Sequence, residues 1–488
     1  MKAVIKIFFI FFIVTSLTPI NAQELNLKGA IDMALTNNDK IKQYEEKLKQ
    51  KEYDVKTSWG NFLPTISLEG SFTHLNKDMQ IDLNSIRDGM IQLQAGTQVE
   101  LANIYSLLNT QTQLTQQQRA GLYSQYSTRL DGLLPQFVET FKKQNYYQAA
   151  FVGVQPLFLG GKLLAAKDFA SAEKTAAQIE LQKTKNEIIA EVIVNYFNYL
   201  LVKDVVQTRQ NVLVGMQNHQ KDAQKLFDEG LIANYHLLRA KVAVSEAERN
   251  LSDDLNNLDL AMLAFKNSLG LDNETNVTLT DTLVFKNSSI ELETSLNNAD
   301  VNQPLLQIIA QKKIASTQKY NVERSNFLPQ IAAFGKYELY PQYLSSLEPR
   351  WAVGVQLKFN IFNGFKDYTK LESAIHLENE VNFIEASAKK QVNLWVNKTY
   401  KDVENSKTKY QKLEAAYNLA VENLRMNEKR FNTGMGTSLE VIDAQLSLEK
   451  VKIDKLVSIN QYYKSLTELN LATGNPLNVL DIWENREN

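Results

Sequence analysis

The chain contains an internal repeat whose register stays constant over a long stretch. Matching positions lie 204 residues apart, from the pair Phe158 and Phe362 to the pair Gly270 and Gly474. In a packed helix, one inserted residue would rotate everything beyond it by about 100°. A repeat of this length without insertions therefore predicts long helices whose packing fixes their length.

The repeat also includes the segments upstream of these helices. The sequence NFLP occurs at 61–64 and again at 326–329. Each half then reads helix, strand, strand, long helix, glycine turn and shorter helix, which indicates a duplication within one elongated unit. The predicted segments are a first repeat over 23–270, a linker over 271–300, a second repeat over 301–474 and a C-terminal tail over 475–488.

Two stretches with almost no Gly or Pro predict the long helices. Between Gly161 and Gly230 there is one Gly and no Pro, and between Gly364 and Gly434 there is neither. Each helix would be about 100 Å long at 1.5 Å per residue. Apolar residues recur along both at helical spacing, with charged residues between them, as in a coiled-coil seam. The predicted helices are the long pair over 162–229 and 365–433 and shorter ones over 28–59, 231–268, 301–325 and 436–472.

The N-terminus has the features of a secretory signal peptide. Lys2 and Lys6 precede an apolar run over 7–17, and a cleavage site is expected after Ala22. This apolar run is too short to span a bilayer, so we interpret 1–22 as a cleaved signal peptide rather than an uncleaved anchor. The absence of Cys excludes disulfides and a lipid-modified cysteine, and the 53 basic and 55 acidic residues give no indication of nucleic-acid binding.

One segment alternates strictly between apolar and small or polar residues. Within 351–362, the side chains of Trp351, Val353, Val355 and Leu357 share one face. This is the pattern of a membrane β-barrel strand, and we expect these four residues to face lipid. A half-buried soluble sheet would show the same alternation, but the signal peptide and the long helices favour the membrane. The four predicted strands are 65–74, 148–158, 330–339 and 351–362.

Four strands are too few to enclose a pore, and open strand edges cannot face lipid. The chain must therefore oligomerise, and a cyclic trimer would supply twelve strands. The first strand pair is separated by a long insert, about 75–147, which is polar and Gln-rich and contains a helix-prone piece near 82–108. This topology predicts that the insert lies outside the cell, but its sequence indicates no specific function.

The ensemble of motifs resembles the TolC-like outer-membrane efflux protein family over nearly all of the mature chain. The resemblance rests on the duplicated NFLP, on PLFLGG at 156–161 and NIFNG at 360–364, and on the two glycine-turn sequences that begin at Phe227 and Phe431. It implies a mainly α protein with membrane β-structure: a trimer with an α-helical periplasmic tunnel and a 12-stranded outer-membrane β-barrel, four strands per chain. The implied partners are outer-membrane lipid, a periplasmic adaptor protein and an inner-membrane pump.

The resemblance also implies roles for residues at the glycine turns. Glu440 and Asp443 match the family's acidic residues at the periplasmic entrance, and in a trimer they would form two stacked acidic rings that favour cations. The family's basic residue after the second turn is replaced by Gly436. We therefore expect Arg239, with His236 nearby, to act as the gate partner of Glu440 or Asp443. The expected adaptor contacts are Gly230, Leu231, Ile232, Ala233, Gly434, Met435, Gly436 and Thr437.

An enzyme is not indicated. The four His residues are scattered over different elements, and the sequence has no zinc-protease, serine-hydrolase or P-loop spacing. We therefore predict no catalytic residues, no cofactor and no metal site. Two other interpretations remain open: a channel of a type I protein secretion system, and a periplasmic adaptor protein. An adaptor would carry one helical hairpin rather than two. The sequence does not identify the cargo.

Overall fold

A computed structural model describes residues 23–345 and 347–484, so the signal peptide predicted over 1–22 lies outside the described residues. The chain divides into two units. The helical unit comprises the described residues of Met1–Lys56, Ala166–Tyr320 and Leu371–Asn488, and the strand unit comprises Thr57–Ala165 and Asn321–Lys370. No helix in the described part of the chain is long and apolar enough to cross a membrane.

Most of the described residues are helical, as the sequence predicts. The α-helices are α1 Leu27–Asn37, α2 Asp39–Gly60, α3 Asn84–Thr110, α4 Gln116–Leu133, α5 Lys162–Asp228, α6 Asn234–Ser268, α7 Leu292–Asn302, α8 Pro304–Arg324, α9 Lys366–Asn432, α10 Ser438–Ala472 and α11 Asn478–Glu484. The strands are β1 Gln23–Leu25, β2 Thr65–His74, β3 Met79–Asp82, β4 Val138–Lys142, β5 Asn145–Leu159, β6 Val277–Leu279, β7 Gln330–Glu338 and β8 Trp351–Lys358.

The helices preserve the register of the sequence repeat. The long helices α5 and α9 each contain 67 residues, and the helices α6 and α10 that follow them each contain 35. In both pairs the start and the end are related by the same offset of 204 residues. The two halves of the chain are therefore equivalent in structure as well as in sequence over these four helices.

The largest hydrophobic core lies in the helical unit and is rich in aromatic rings. Phe197 of α5 stacks on Tyr463 of α10 with ring centroids 4.1 Å apart, and Trp483 of α11 meets Phe197 edge-on at 5.0 Å. The carboxylate of Asp281 accepts hydrogen bonds from the hydroxyl of the buried Tyr196 and, at 3.2 Å, from the indole N–H of Trp483. The segment predicted as a linker and the predicted tail thus both contribute to this core.

The predicted helix over 28–59 is broken, and the one predicted over 301–325 begins at Pro304, after a separate helix that lies mostly in the predicted linker. Asn38 separates α1 from α2, and Gln303 separates α7 from α8. Both residues have extended backbone, and both turn their side-chain amides onto the end of a helix in the same half of the repeat. Asn38 donates to the carbonyl of Ser268 at 3.4 Å, and Gln303 donates to the carbonyl of Ala472 at 3.3 Å. The breaks therefore satisfy carbonyls at two helix ends that have no intrahelical partner.

Each break packs against a glycine in the left-handed conformation. Gly270 has φ +69° and Gly474 has φ +90°. A Cβ atom on Gly270 would lie 3.1 Å from the carbonyl carbon of Asn37, and one on Gly474 would lie 2.4 Å from the carbonyl oxygen of Asn302. Only glycine fits both the backbone conformation and the available space.

The four predicted strands form one antiparallel sheet in the order β2-β5-β7-β8. The strand predicted over 351–362 ends at Lys358, so the last four residues of the alternating segment lie outside it. Within the part of the chain that the structure describes, β2 pairs only with β5 and β8 only with β7. The sheet therefore has two open edges within one chain.

The strand register brings the large apolar side chains of β2 and β8 onto one face, together with Phe151 of β5 and Tyr337 of β7. Leu68 pairs with Phe151, Phe151 with Tyr337, and Tyr337 with Trp351, which gives one apolar row across the sheet. The adjacent row lies on the opposite face because successive side chains point to opposite faces of a strand. It consists of Ser67, Val152, Lys336 and Ala352. Trp351, Val353, Val355 and Leu357 are 63–73% exposed in the single chain.

Aromatic residues gather at the end of the sheet where β2 and β7 finish. Phe72 and Tyr147 have ring centroids 5.0 Å apart, and Tyr147 contacts Tyr343 at 5.7 Å. Tyr340 lies 6.4 Å from Tyr343. Such a cluster is typical of the aromatic girdle at a membrane interface.

The insert between β2 and β5 is more ordered than its Gln-rich sequence suggests. Its helix-prone piece near 82–108 corresponds to α3, but α4 begins within the Gln-rich run and was not predicted. A short antiparallel pair, β3 and β4, closes the base of this helical hairpin. The amphipathic sequence pattern of α4 is weak because this helix has no strongly apolar face of its own. Its contacts with α3 hold it in place.

Candidate functional site at the helix turns

The two glycine turns have the same backbone geometry. Gly230 and Gly434 have φ +71° and +74°. After each glycine, the next backbone N–H donates to the carbonyl five residues earlier, from Leu231 at 2.9 Å and from Met435 at 2.8 Å. These are Schellman motifs, which end α5 and α9 abruptly. They leave Leu231 and Met435, which are equivalent in the repeat, 67% and 70% exposed.

The helices that follow the turns begin differently. Thr437 is the N-cap of α10: its hydroxyl accepts from the backbone N–H of Glu440 at 3.3 Å, and Glu440 accepts from the backbone N–H of Thr437 at 2.7 Å. These two reciprocal hydrogen bonds form a capping box. In the first turn, by contrast, Asn234 is already helical and the N-cap is Ala233, which has no capping side chain. The start of α6 therefore lacks the side-chain cap that Thr437 gives to α10.

Glu440 is held within its own chain. Its carboxylate lies 3.6 Å from the guanidinium of Arg430, which also donates to the carbonyl of Met435 at 3.3 Å. The hydrogen bond from the backbone of Thr437, together with the nearby charge of Arg430, lowers the pKa of Glu440. Glu440 therefore stays ionised at neutral pH, but part of its charge is compensated locally.

Asp443, one turn further along α10, has an exposed side chain. On α6, Arg239 is exposed and His236 is half-buried beside Tyr235, with ring centroids 3.9 Å apart. The cation beside Glu440 is Arg430 rather than Arg239. The chain thus brings Glu440 and Arg430 together, while a contact between Arg239 and an acidic residue of another subunit stays a prediction.

A buried histidine links the two halves of the repeat near these turns. The Nε2 of His219 on α5 lies 2.6 Å from the hydroxyl of Ser438, the first residue of α10, and its ring packs on Phe431 at 4.8 Å. Burial lowers the pKa of His219, so the ring is neutral at neutral pH. The sequence contains no signal for this contact because the two residues are 219 positions apart.

Further from the turns, one arginine joins three helices. Arg209 of α5 donates through Nε to Asp254 of α6 at 2.8 Å and through Nη1 to Glu449 of α10. Glu449 is 6% exposed. We call these three residues the ionic clasp. A buried carboxylate is tolerated only when it is paired and hydrogen-bonded, so the clasp ties α10 to the α5–α6 hairpin.

The described residues contain no group of three or more His, Cys, Asp or Glu side chains that could hold a metal ion. The polar groups of the site instead cap helices and join them to each other. This arrangement stabilises a helical end that carries exposed apolar and acidic side chains.

Comparison with known proteins identifies the family. A sequence model described as outer membrane efflux protein matches residues 123–271 and 295–475, which is more than half of the chain. The chain belongs to the outer membrane efflux protein family. The resemblance inferred from the repeated motifs is thereby confirmed. No curated protein matches the sequence.

Solved structures confirm the TolC-like fold. VceC, an outer membrane protein of Vibrio cholerae, matches with a TM-score of 0.69 and 15% identity over 92% of this chain and 96% of VceC. The CmeC outer membrane channel of Campylobacter jejuni gives 0.69 and 14% over 95% of this chain and 90% of CmeC. The open state of the MtrE outer membrane channel of Neisseria gonorrhoeae gives 0.67 and 15% over 92% of this chain and 89% of MtrE.

Proposed function

We propose that the protein is the outer-membrane channel of a tripartite efflux system. It passively conducts small molecules that a periplasmic adaptor protein and an inner-membrane pump deliver to it. Family membership supports an efflux role in the outer membrane. The observation that carries the proposal is the four-stranded sheet, which has an apolar row across all four strands on one face and two open edges.

The sheet supports assembly into a trimer. An exposed edge cannot remain unpaired in the hydrocarbon layer, because each unsatisfied backbone group there costs several kcal/mol. Joining β8 of one subunit to β2 of the next would close a barrel of twelve strands in a cyclic trimer. The apolar face would then contact lipid and the polar face would line the pore. The long helices α5 and α9 would form the wall of a tunnel in the periplasm.

The turns support an adaptor contact. Leu231 and Met435 occupy equivalent positions after rigid Schellman motifs, and both are exposed. Exposed apolar side chains on a rigid scaffold are typical of a protein interface. We propose that the segments over 230–233 and 434–437 contact the adaptor. Export of polypeptides in a type I secretion system would use the same architecture. An adaptor function or an enzymatic activity has no comparable support.

Asp443 is the stronger candidate for the acidic ring at the entrance. Three exposed copies around a narrow opening would favour cations, whereas Glu440 is partly compensated by Arg430. Asp443→Asn should lower the preference for K⁺ over Cl⁻ in single-channel recordings and weaken block by divalent cations. Asp481→Asn changes an exposed acid on α11 and is the matched control. Equal ion selectivity in the unmodified protein, in Asp443→Asn and in Asp481→Asn would contradict the acidic ring.

The gate hypothesis concerns Arg239. If its guanidinium pairs with Glu440 or Asp443 of a neighbouring helix in the trimer, Arg239→Ala should increase single-channel conductance by removing a contact that keeps the entrance closed. Arg249→Ala, on the same helix and also exposed, is the control. Unchanged conductance in Arg239→Ala would refute this role for Arg239.

A further inference from the structure

The insert helix α3 has two apolar faces, of which only one is covered. On one face, buried residues recur every four positions and pack in the hairpin with α4. They are Arg87, Ile91, Ala95, Val99 and Asn103. At 100° per residue these positions all lie within 80° of the direction of Ala95, so they form a single stripe along the helix.

The opposite face of α3 is apolar and open. We call it the α3 stripe, and its side chains are between 44% and 76% exposed. It consists of Ile86, Met90, Leu93, Leu101, Ile104 and Leu108. With Thr97 in the middle, the spacing is four, three, four, then four, three, four. This is an 11-residue repeat, which predicts packing of nearly straight helices with a slight right-handed supercoil.

The hairpin that carries the stripe is firmly held. The guanidinium of Arg87 donates to the carboxylate of Asp131 and to the carbonyl oxygens of Asp131 at 2.8 Å and Leu134 at 3.0 Å. At the other end, the buried side chain of Asn103 accepts from the backbone N–H of Leu114 at 3.0 Å. The exposed apolar row is therefore presented by an ordered scaffold.

The charge of the helix argues against a lipid surface as the partner. Helices that lie in a membrane interface typically have Lys and Arg on their polar face. In α3 the charged residues are Arg87, Asp88 and Glu100, and its one basic side chain is buried against α4. A surface with exposed apolar residues and few charges is instead typical of the core of a protein interface.

The position of the insert indicates which protein covers the stripe. His74, the last residue of β2, pairs with Asn145, the first residue of β5, so the hairpin leaves the sheet at that end. In a cyclic assembly every subunit would carry one such hairpin at the same end of the barrel. Identical stripes around one symmetry axis can cover each other without a further partner.

We propose that the α3 stripes of three subunits pack together on the symmetry axis as a three-helix bundle over the outer end of the barrel. This inference rests on the trimer of the proposed function. Because the stripes meet on the axis, the bundle would narrow the outer end of the conduit. The partner of this surface is thus a second and third copy of the same chain.

The absence of Cys allows a direct test by disulfide cross-linking. Leu93→Cys and Met90→Cys place thiols on the stripe, and Ser124→Cys places one on the exposed surface of α4. Outer membranes containing each full-length variant are oxidised with copper phenanthroline, or treated with a short bis-maleimide, and analysed on non-reducing gels. The native mass of the unmodified parent and of each variant is measured in parallel.

We expect the two stripe variants to form cross-linked dimers several-fold more than Ser124→Cys, at an unchanged trimeric mass. Trimers of normal mass in which the stripe variants cross-link no more than Ser124→Cys would overturn the bundle and leave the proposed function intact. A second outcome would also overturn the bundle: a bimane label attached to the Leu93→Cys variant whose fluorescence emission shifts to the blue only when lipid vesicles are added. A monomeric parent would overturn the proposed function, and the bundle with it.

Discussion

Val355→Arg is expected to abolish assembly in the outer membrane, whereas Gln356→Arg, one residue further along β8, leaves assembly intact. Val355 pairs with Ala333 on the apolar face of the sheet and is 66% exposed in the single chain. An Arg facing lipid at the bilayer midplane costs about 2–4 kcal/mol, and a trimer would incur this cost three times.

Gln356→Arg is the matched control because this substitution introduces the same charge at almost the same depth on the opposite face of the sheet. There the side chain would face the pore, among polar and small residues, and could remain hydrated. Assembly is measured as heat-modifiable migration on gels and as the amount of protein in the outer-membrane fraction. Equal assembly of the two variants, or a greater loss in Gln356→Arg, would contradict the assignment of the faces.

Arg209→Met is expected to destabilise the helical unit by about 3–5 kcal/mol, because it leaves the carboxylate of Glu449 buried without its partner. The methionine keeps most of the side-chain volume, so the effect reports on charge rather than on packing. Thermal unfolding of the detergent-solubilised protein should show a lower midpoint, and hydrogen exchange should increase first in α10.

Arg249→Met is the control for removing an arginine from a neighbouring part of the helical unit. Its partner Asp253 is 63% exposed, and such surface pairs contribute about 1 kcal/mol or less. The double variant Arg209→Met/Glu449→Met should recover part of the lost stability, since the buried charge is then removed. If Arg209→Met and Arg249→Met unfolded at the same temperature, the ionic clasp would have no structural role.

The sequence is sufficient to predict the secondary-structure elements that are determined by residues close together in the chain. The repeat and the near absence of Gly and Pro locate α5 and α9 to within one residue at each end. The glycines at 230 and 434 mark the two turns because a Schellman motif requires a left-handed residue at that position. The alternation of β2 and β8 likewise indicates which of their side chains share a face.

Other features depend on contacts between distant parts of the chain. The break at Asn38 has no strong local signal and is explained by its packing against Gly270, whereas Pro304 already disfavours a helical conformation at Gln303. The strand pair of β1 and β6 joins segments about 250 residues apart. Each is only three residues long, too short to show a period.

The polar contacts of the candidate site are similarly nonlocal. The family resemblance singles out Glu440, but the pairing of Glu440 with Arg430 depends on how the turn folds back. Arg209 and Glu449 are 240 residues apart, and no motif links them. The resemblance to the family implies an acidic entrance, whereas the different surroundings of Glu440 and Asp443 are visible only in the structure.

The most direct test of the account is the number of copies in the complex extracted from the outer membrane. The mature protein, solubilised in mild detergent, is analysed by native mass spectrometry or by light scattering with correction for detergent. We predict three copies, recovered from the outer-membrane fraction, because three four-stranded sheets close one barrel. A monomer or dimer found in the soluble periplasmic fraction would leave the edges of β2 and β8 unpaired and would contradict the channel.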